Sequence, residues 1–147
     1  MYLKKFVFVL TTIALMFACT VPCYAESYFD DNFRTTEISP LYDLTDVVNV
    51  YLNISGTTAS CQTKVTASDG VGSITVVQTL QKHWAFGIYS DVSDASWTKT
   101  VNSRTLTVSG TKSGLGSGTY QVKSVVTVTA KNGTSETFTV YSETKTI

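Results

Sequence analysis

Hydrophobic and polar residues alternate with a period of two along most of the chain from residue 46 onward. This period is typical of strands that turn one face to a core and the other to solvent. No long stretch has the 3.6-residue period of an amphipathic helix. The pattern therefore predicts an all-β protein of about seven mostly antiparallel strands. The residues predicted to face inward are Val48, Val50, Leu52, Ile54, Ala59, Cys61, Val65, Ala67, Ile74, Val76, Leu80, Tyr120, Val122, Val126, Val128, Phe138 and Val140.

Turn-forming residues separate the predicted strands, mostly at intervals of about ten to twelve residues. This spacing predicts an antiparallel β-sandwich, with a small β-barrel as the alternative. The glycine-rich segment 110–118 predicts a mobile loop. Asn132-Gly133 favours a type I′ hairpin turn, because both residues tolerate a positive φ. Residues 83–95 alternate less regularly, so no clear strand is predicted there.

The first 25 residues have the layout of a cleavable secretory signal. Lys4 and Lys5 form a basic start, residues 6–18 carry no charge, and Cys23 and Ala25 are small residues at −3 and −1 of the cut. The uncharged run is shorter than the roughly 20 residues that a membrane-spanning helix needs. We therefore expect a secreted protein, extracellular or at the cell surface, with cleavage after Ala25 and no stable membrane span.

Two other N-terminal arrangements compete with cleavage after Ala25. The apolar run could remain as an uncleaved membrane anchor, although nothing in the sequence lengthens it. Cys19 could instead carry a lipid, because lipoprotein signals place a small residue just before the modified cysteine. Ala18 fits that pattern, whereas Met16 fits it poorly.

The sequence divides into a signal peptide (1–25), a flexible leader (26–44) and a β-sandwich domain (45–147). From Glu26 onward the chain has nine basic and eleven acidic residues, a net charge of −2. This weak acidic balance gives no electrostatic reason to bind nucleic acid or an anionic membrane. Cys61 is the one cysteine left after cleavage, so no internal disulfide can form and packing must hold the fold together. Because Cys61 lies on the predicted apolar face, we expect an inert buried thiol.

The segment Gly118-Thr119-Tyr120-Gln121-Val122 favours an immunoglobulin-like arrangement of the strands. In such sandwiches a tyrosine near the start of the penultimate strand bonds through its hydroxyl to the backbone, two residues before the position of the second cysteine. Here that position is Val122, and Cys61 is near the place of the first cysteine. We expect Cys61 to pack against Val122 without a bridge.

Four segments resemble small exported proteins of Gram-positive bacteria. They are Leu80-Gln81-Lys82, the strand around Trp97, Gly118-Thr119-Tyr120 and the closing strand Glu136 to Ser142. The resemblance covers roughly Val47 to Ile147. It implies secretion and a single immunoglobulin-like sandwich, and it brings no catalytic residues and no cofactor.

The residues that could support catalysis or metal binding are few. His83 is the sole histidine, and the chain has no Gly-x-Ser-x-Gly elbow. One histidine and one cysteine do not make a zinc site, whereas Asp91, Asp94 and Asp30-Asp31 offer oxygens that suit calcium but more commonly form turns. The predicted strands carry no facing pair of carboxylates for glycoside hydrolysis. We predict that the chain is not an enzyme and needs no cofactor or metal.

Trp84, Phe86, Tyr89 and Trp97 form the most informative group of side chains. Large aromatics usually fill a core, so we expect all four to lie beneath an irregular edge of the sandwich. The alternative is that Trp84, Tyr89 and Trp97 face a ligand, as exposed aromatic platforms do in sugar-binding sandwiches.

The first functional hypothesis is a secreted, non-catalytic module that binds an extracellular carbohydrate or protein. The second is a self-assembling surface subunit that pairs through an unprotected sheet edge. A small hydrolase is third.

Overall fold

The computed structural model describes residues 43–147. The predicted signal peptide, the leader as far as residue 42, Cys19 and Asp30-Asp31 lie outside the described residues. The first strand of the described residues begins at Thr45.

Residues 43–147 form eight strands and no helix. The strands are β1 (Thr45–Ser55), β2 (Thr58–Ala67), β3 (Val71–Ala85), β4 (Ile88–Val101), β5 (Thr105–Lys112), β6 (Thr119–Ala130), β7 (Ser135–Tyr141) and β8 (Lys145–Thr146). Because β8 is only two residues long, the prediction of an all-β fold with about seven full strands is confirmed.

The strands form two antiparallel sheets that pack against each other. The smaller sheet has the order β1-β2-β5, and the larger has the order β4-β3-β6-β7, with β8 paired to β6. The predicted antiparallel sandwich is therefore confirmed, and the barrel alternative is wrong. β4 ends the larger sheet and approaches β5 of the smaller sheet, where the Lys99 ammonium donates to the Thr107 carbonyl at 3.0 Å.

Most of the apolar core between the sheets consists of residues that the alternation predicts. Val71, Ala95, Leu106, Val108 and Leu115 also belong to it. All of the predicted inward residues are buried, except Val50 and Ile54, which are half-buried. They form two apolar clusters, one around Val76 and Val126 and the other around Leu80 and Val122. As predicted, Cys61 lies in the same cluster as Val122 and forms no disulfide.

A buried polar group lies between these two clusters and links the sheets. The Thr63 hydroxyl of the smaller sheet donates to the Gln78 side-chain carbonyl at 2.6 Å and lies 2.7 Å from the Ser124 hydroxyl. All three side chains are fully buried. Each residue interrupts the apolar alternation of its strand, so the pattern does not predict it to face inward. Hydrogen bonding offsets much of the desolvation penalty of burying them.

Two predictions for the chain between strands need correction. Residues 83–95 are mostly strand, because they form the end of β3, a tight turn and the first half of β4, although the pairing is bulged. Asn132-Gly133 does not form a type I′ turn, since Gly133 has a positive φ (89°) and Asn132 does not. The β6–β7 connection instead has a Gly133 N–H donating to the Ala130 carbonyl at 3.0 Å, as in a type I turn followed by a left-handed glycine.

The loop after β5 is attached to the sandwich at several points. Leu115 is buried, and its N–H donates to the Thr57 carbonyl at 2.9 Å. The Tyr120 hydroxyl donates to the Gly116 carbonyl at 2.7 Å. This is the backbone tie that the sequence predicts for Tyr120, and it orders a segment whose glycines alone predict mobility.

Candidate functional site

The β3–β4 hairpin extends past the rest of its sheet. Pairing between β3 and β6 ends at Lys82 and Tyr120. Beyond that point β3 pairs only with β4, through His83 with Tyr89 and Ala85 with Ile88. Three further residues of strand correspond to a projection of roughly 10 Å. We call residues 83–89 the apex.

Two backbone irregularities orient the side chains of the apex. Trp84 is a β-bulge, because it is an extra residue between the two apex pairs. Phe86 and Gly87 then make the two-residue turn with φ values of 51° and 77°. Positive φ at both central positions is the requirement of a type I′ turn, and for a bulky residue such as Phe86 it is a rare conformation.

One side of the apex is held by two rings. His83 and Tyr89 contact each other edge to face, with centroids 5.1 Å apart and an interplanar angle of 64°. The Gly87 N–H donates to the His83 Nε2 at 3.3 Å, across the turn. Together these contacts support the turn from within the hairpin, and they occupy the lone histidine in a structural role.

The remaining apex side chains are apolar and project into solvent. Trp84 is 80% exposed, Phe86 100% and Ile88 59%. The expectation that Trp84 and Phe86 fill the core is therefore wrong. The physical reason is that β3 and β4 continue beyond their pairing with β6, which ends at Lys82, and these side chains project into solvent there. The high local hydrophobicity gave no sign of this, because a buried strand has the same composition.

The three aromatics predicted to face a ligand do not form one platform. Trp84 is exposed, whereas Tyr89 is half-buried against His83. Trp97 is half-buried and lies over Gly110 of β5, where a Cβ would be 2.1 Å from its ring. Trp97 pairs with Gln78, six residues before Trp84 on β3, which is about 20 Å of strand. The neighbours of Trp84 at the apex are instead Phe86 and Ile88. The sequence signal that could have identified them is Gly87, which suits the second position of a two-residue hairpin turn.

Trp97 borders a shallow open groove between the edges of the two sheets. The groove has a volume of about 580 Å³. It is lined by Ser96, Trp97, Thr98, Lys99, Thr107, Val108 and Ser109. Because the Trp97 ring covers Gly110 and contacts both apolar clusters, it closes the seam between the sheets.

Cys61 has the properties of a structural thiol. It is 2% exposed and lies in an apolar core cluster. Burial raises the pKa of the Cys61 thiol to about 12, so the nucleophilic thiolate is scarce at neutral pH.

Asp91 and Asp94, whose oxygens would suit calcium, lie in a bulged segment of β4. The β3–β4 pairing passes from Thr79 with Ser96 to Gln81 with Asp91, and the extra residues of β4 include Asp94 at φ 55°. The Asp91 carboxylate accepts from the Gln81 amide at 2.7 Å. Residues 43–147 contain no group of three or more His, Cys, Asp or Glu side chains placed to hold a metal ion.

Comparisons with protein-family models, with curated proteins and with solved structures found no match to the chain. Within residues 43–147, no helix has the length and hydrophobicity to cross a lipid bilayer.

Proposed function

We propose that the chain is an exported, non-catalytic binding module that contacts its partner outside the cell through the apex of the β3–β4 hairpin. The observation that carries this proposal is the exposure of Trp84, Phe86 and Ile88 on one projecting turn.

Water contact with three large apolar side chains is unfavourable, and soluble proteins seldom gather them at a projecting point unless a partner covers them. Among residues 43–147, the other exposed large apolar residues are less exposed: Val47 at 37%, Val77 at 36% and Tyr141 at 47%. Phe86 also adopts a backbone conformation that stability alone disfavours. Both features support a role for the apex in contact rather than in folding.

The finer assignment of the sandwich as immunoglobulin-like is part of the proposal. The order β1-β2-β5 against β4-β3-β6-β7 supports it. So does the bond from the Tyr120 hydroxyl to the Gly116 carbonyl at the start of the penultimate full strand. Loops and turns at the ends of such sandwiches are common binding sites on a rigid framework.

Export is proposed from the N-terminal pattern of basic, apolar and small residues that ends at Ala25. The resemblance to exported proteins of Gram-positive bacteria points the same way. A non-catalytic role is supported by the groups themselves, because the Cys61 thiol is buried with a raised pKa and His83 accepts from the backbone of its own turn.

The test compares retention of the labelled full chain on cell-wall glycans, host glycans, intact cells and lipid vesicles. The variant W84S/F86N/I88T removes the apolar apex. V47T/V77T removes exposed apolar groups elsewhere and serves as the matched control. We expect the wild-type chain and the control to bind at least one surface equally, and the apex variant to bind it at least tenfold more weakly. Equal binding by the apex variant, or no binding of the wild-type chain to any surface, would contradict the proposal.

A further inference from the structure

The side chains of the apex have the chemistry of a membrane interface rather than of a sugar site. Sugar sites combine a ring with several converging hydrogen-bonding groups. From Trp84 to Ile88 the only polar side-chain group is the indole N–H of Trp84. Tryptophan and other amphipathic or apolar side chains are favoured at the boundary between headgroups and acyl chains.

The shape of the apex also favours a deformable partner. The hairpin projects beyond β6 and ends in a two-residue turn, so its apolar surface is convex. A folded protein would need a groove that matches a narrow tip, whereas a bilayer adapts to it. The bulge at Trp84 and the left-handed Phe86 spread two large side chains around the tip.

The charges near the apex complement lipid phosphates. Residues 82–90 contain Lys82 and His83 and no carboxylate. Lys82 and Lys145 flank Tyr120 in register on adjacent strands at this end of the sheet. The nearest carboxylate along the hairpin, Asp91, accepts a hydrogen bond from Gln81. The net charge of the chain is acidic from Glu26 onward. At this end Lys145 is exposed, as is Glu143 nearby, and the ammonium of the half-buried Lys82 lies 5.6 Å from the centre of the Tyr120 ring.

Several of the acidic residues lie at the opposite end of the sandwich. Asp46 accepts from the Ser68 hydroxyl beside the β2–β3 turn, and Asp69 in that turn pairs with Arg104. That turn is at the far end of β3 from the apex. A lipid surface that touches the apex is therefore distant from these carboxylates, which reduces their repulsion of anionic headgroups.

We infer that the apex binds the surface of a lipid bilayer, with Trp84, Phe86 and Ile88 entering the boundary between headgroups and acyl chains and Lys82 close to the phosphates. This inference rests on the proposed binding function and names the partner of the same site. Because only three apolar side chains of each protein molecule enter the bilayer, we expect a single molecule to bind weakly.

The test uses fluorescence quenching by lipids that carry bromine on their acyl chains. The chain has two tryptophans, Trp84 at the apex and Trp97 in the sandwich. The full chain is added to vesicles of phosphatidylcholine, with or without one quarter phosphatidylglycerol. Variant W97F reports on Trp84, and variant W84F reports on Trp97 as the internal control. Because bromine quenches only nearby tryptophan, quenching of W97F reports contact at the apex itself.

We expect W97F to lose at least half of its emission on brominated vesicles and W84F to lose less than a tenth. Phosphatidylglycerol should strengthen the quenching of W97F severalfold at low salt, and K82Q in the W97F background should remove most of that gain. Equal quenching of the two tryptophans, or none of Trp84 on either vesicle, would overturn the inference. If Trp84 is not quenched but W84S/F86N/I88T still abolishes binding to cells or glycans, the apex binds a protein or a glycan, and only the lipid assignment fails.

Discussion

The β3–β4 and β6–β7 hairpins belong to the same sheet and point to opposite ends of it. The β6–β7 turn is polar, and its Asn132 side chain accepts from the Thr134 N–H at 3.0 Å. The β3–β4 turn has no such bond from a turn side chain, and its first residue, Phe86, is fully exposed. Yet the type I′ geometry occurs at Phe86-Gly87, whereas Asn132-Gly133 is part of a type I turn followed by a left-handed glycine.

In these two hairpins, the register of the paired strands determines the turn geometry more than the identity of the turn residues does. Ala85 and Ile88 are directly paired, which leaves two residues to close the hairpin and requires a positive φ at both. A non-glycine residue in that conformation costs about 1–2 kcal/mol. The β6–β7 hairpin avoids this cost with a longer turn and a single left-handed glycine. At the apex, therefore, an exposed aromatic ring occupies a turn position where a glycine or asparagine would be more stable.

The two tryptophans lie in contrasting environments. Trp97 is in the seam between the sheets, and Trp84 is at the exposed apex. Trp97→Ala should lower the free energy of unfolding by about 3 kcal/mol, because it opens the seam over Gly110 where both apolar clusters meet. Trp84→Ala should change it by less than about 0.5 kcal/mol, since that side chain is 80% exposed. Urea unfolding followed by far-UV circular dichroism measures both. A large loss for Trp84→Ala would mean that the apex is part of the folded core.

A smaller effect is expected when the seam is overfilled rather than emptied. A methyl group at Gly110 would lie 2.1 Å from the Trp97 ring, so the ring must move. We expect Gly110→Ala to cost about 2 kcal/mol, within the range for overpacked cores. Gly116→Ala is the matched control, because no atom lies within 4 Å of a Cβ there and its φ is not positive. Unfolding curves that coincide for the two variants would show that Trp97 does not seal the seam.

The alternation of apolar residues was enough to predict the sandwich and most of its core, because burial of one strand face is a local, repeating requirement. It could not identify Thr63, Gln78 and Ser124 as inward, since each is polar and only their meeting across two sheets makes burial tolerable. Trp84 and Phe86 were misplaced for the opposite reason. Whether an apolar hairpin is covered depends on how far its neighbours extend, and β6 begins only opposite Lys82.

The buried Cys61 thiol makes the stability of the sandwich core depend on pH. The pKa of Cys61 rises from 9.0 to about 12 on folding because burial disfavours the thiolate. The unfolded chain therefore releases this proton first, and the stabilisation is complete below pH 9 and is lost as the pH rises from 9 toward 12. Unfolding titrations between pH 8 and pH 11 should show a steeper loss of stability for the wild-type chain than for Cys61→Ala. Parallel curves would mean that the thiol is open to water in the folded state.

Substitutions at Phe86 should change stability only slightly, and they distinguish the contribution of the apex to stability from its contribution to binding. Phe86→Asn places asparagine, which tolerates a positive φ, before Gly87, and should raise the free energy of unfolding by about 1 kcal/mol. Phe86→Ala is the control, because it removes the ring but leaves a residue that disfavours this conformation. Both variants should bind the apex's partner several-fold more weakly, since the ring is missing in each. If Phe86→Asn instead lowers stability, the ring makes contacts that favour the fold. If both variants bind as the wild-type chain does, the exposed ring is not part of the contact surface.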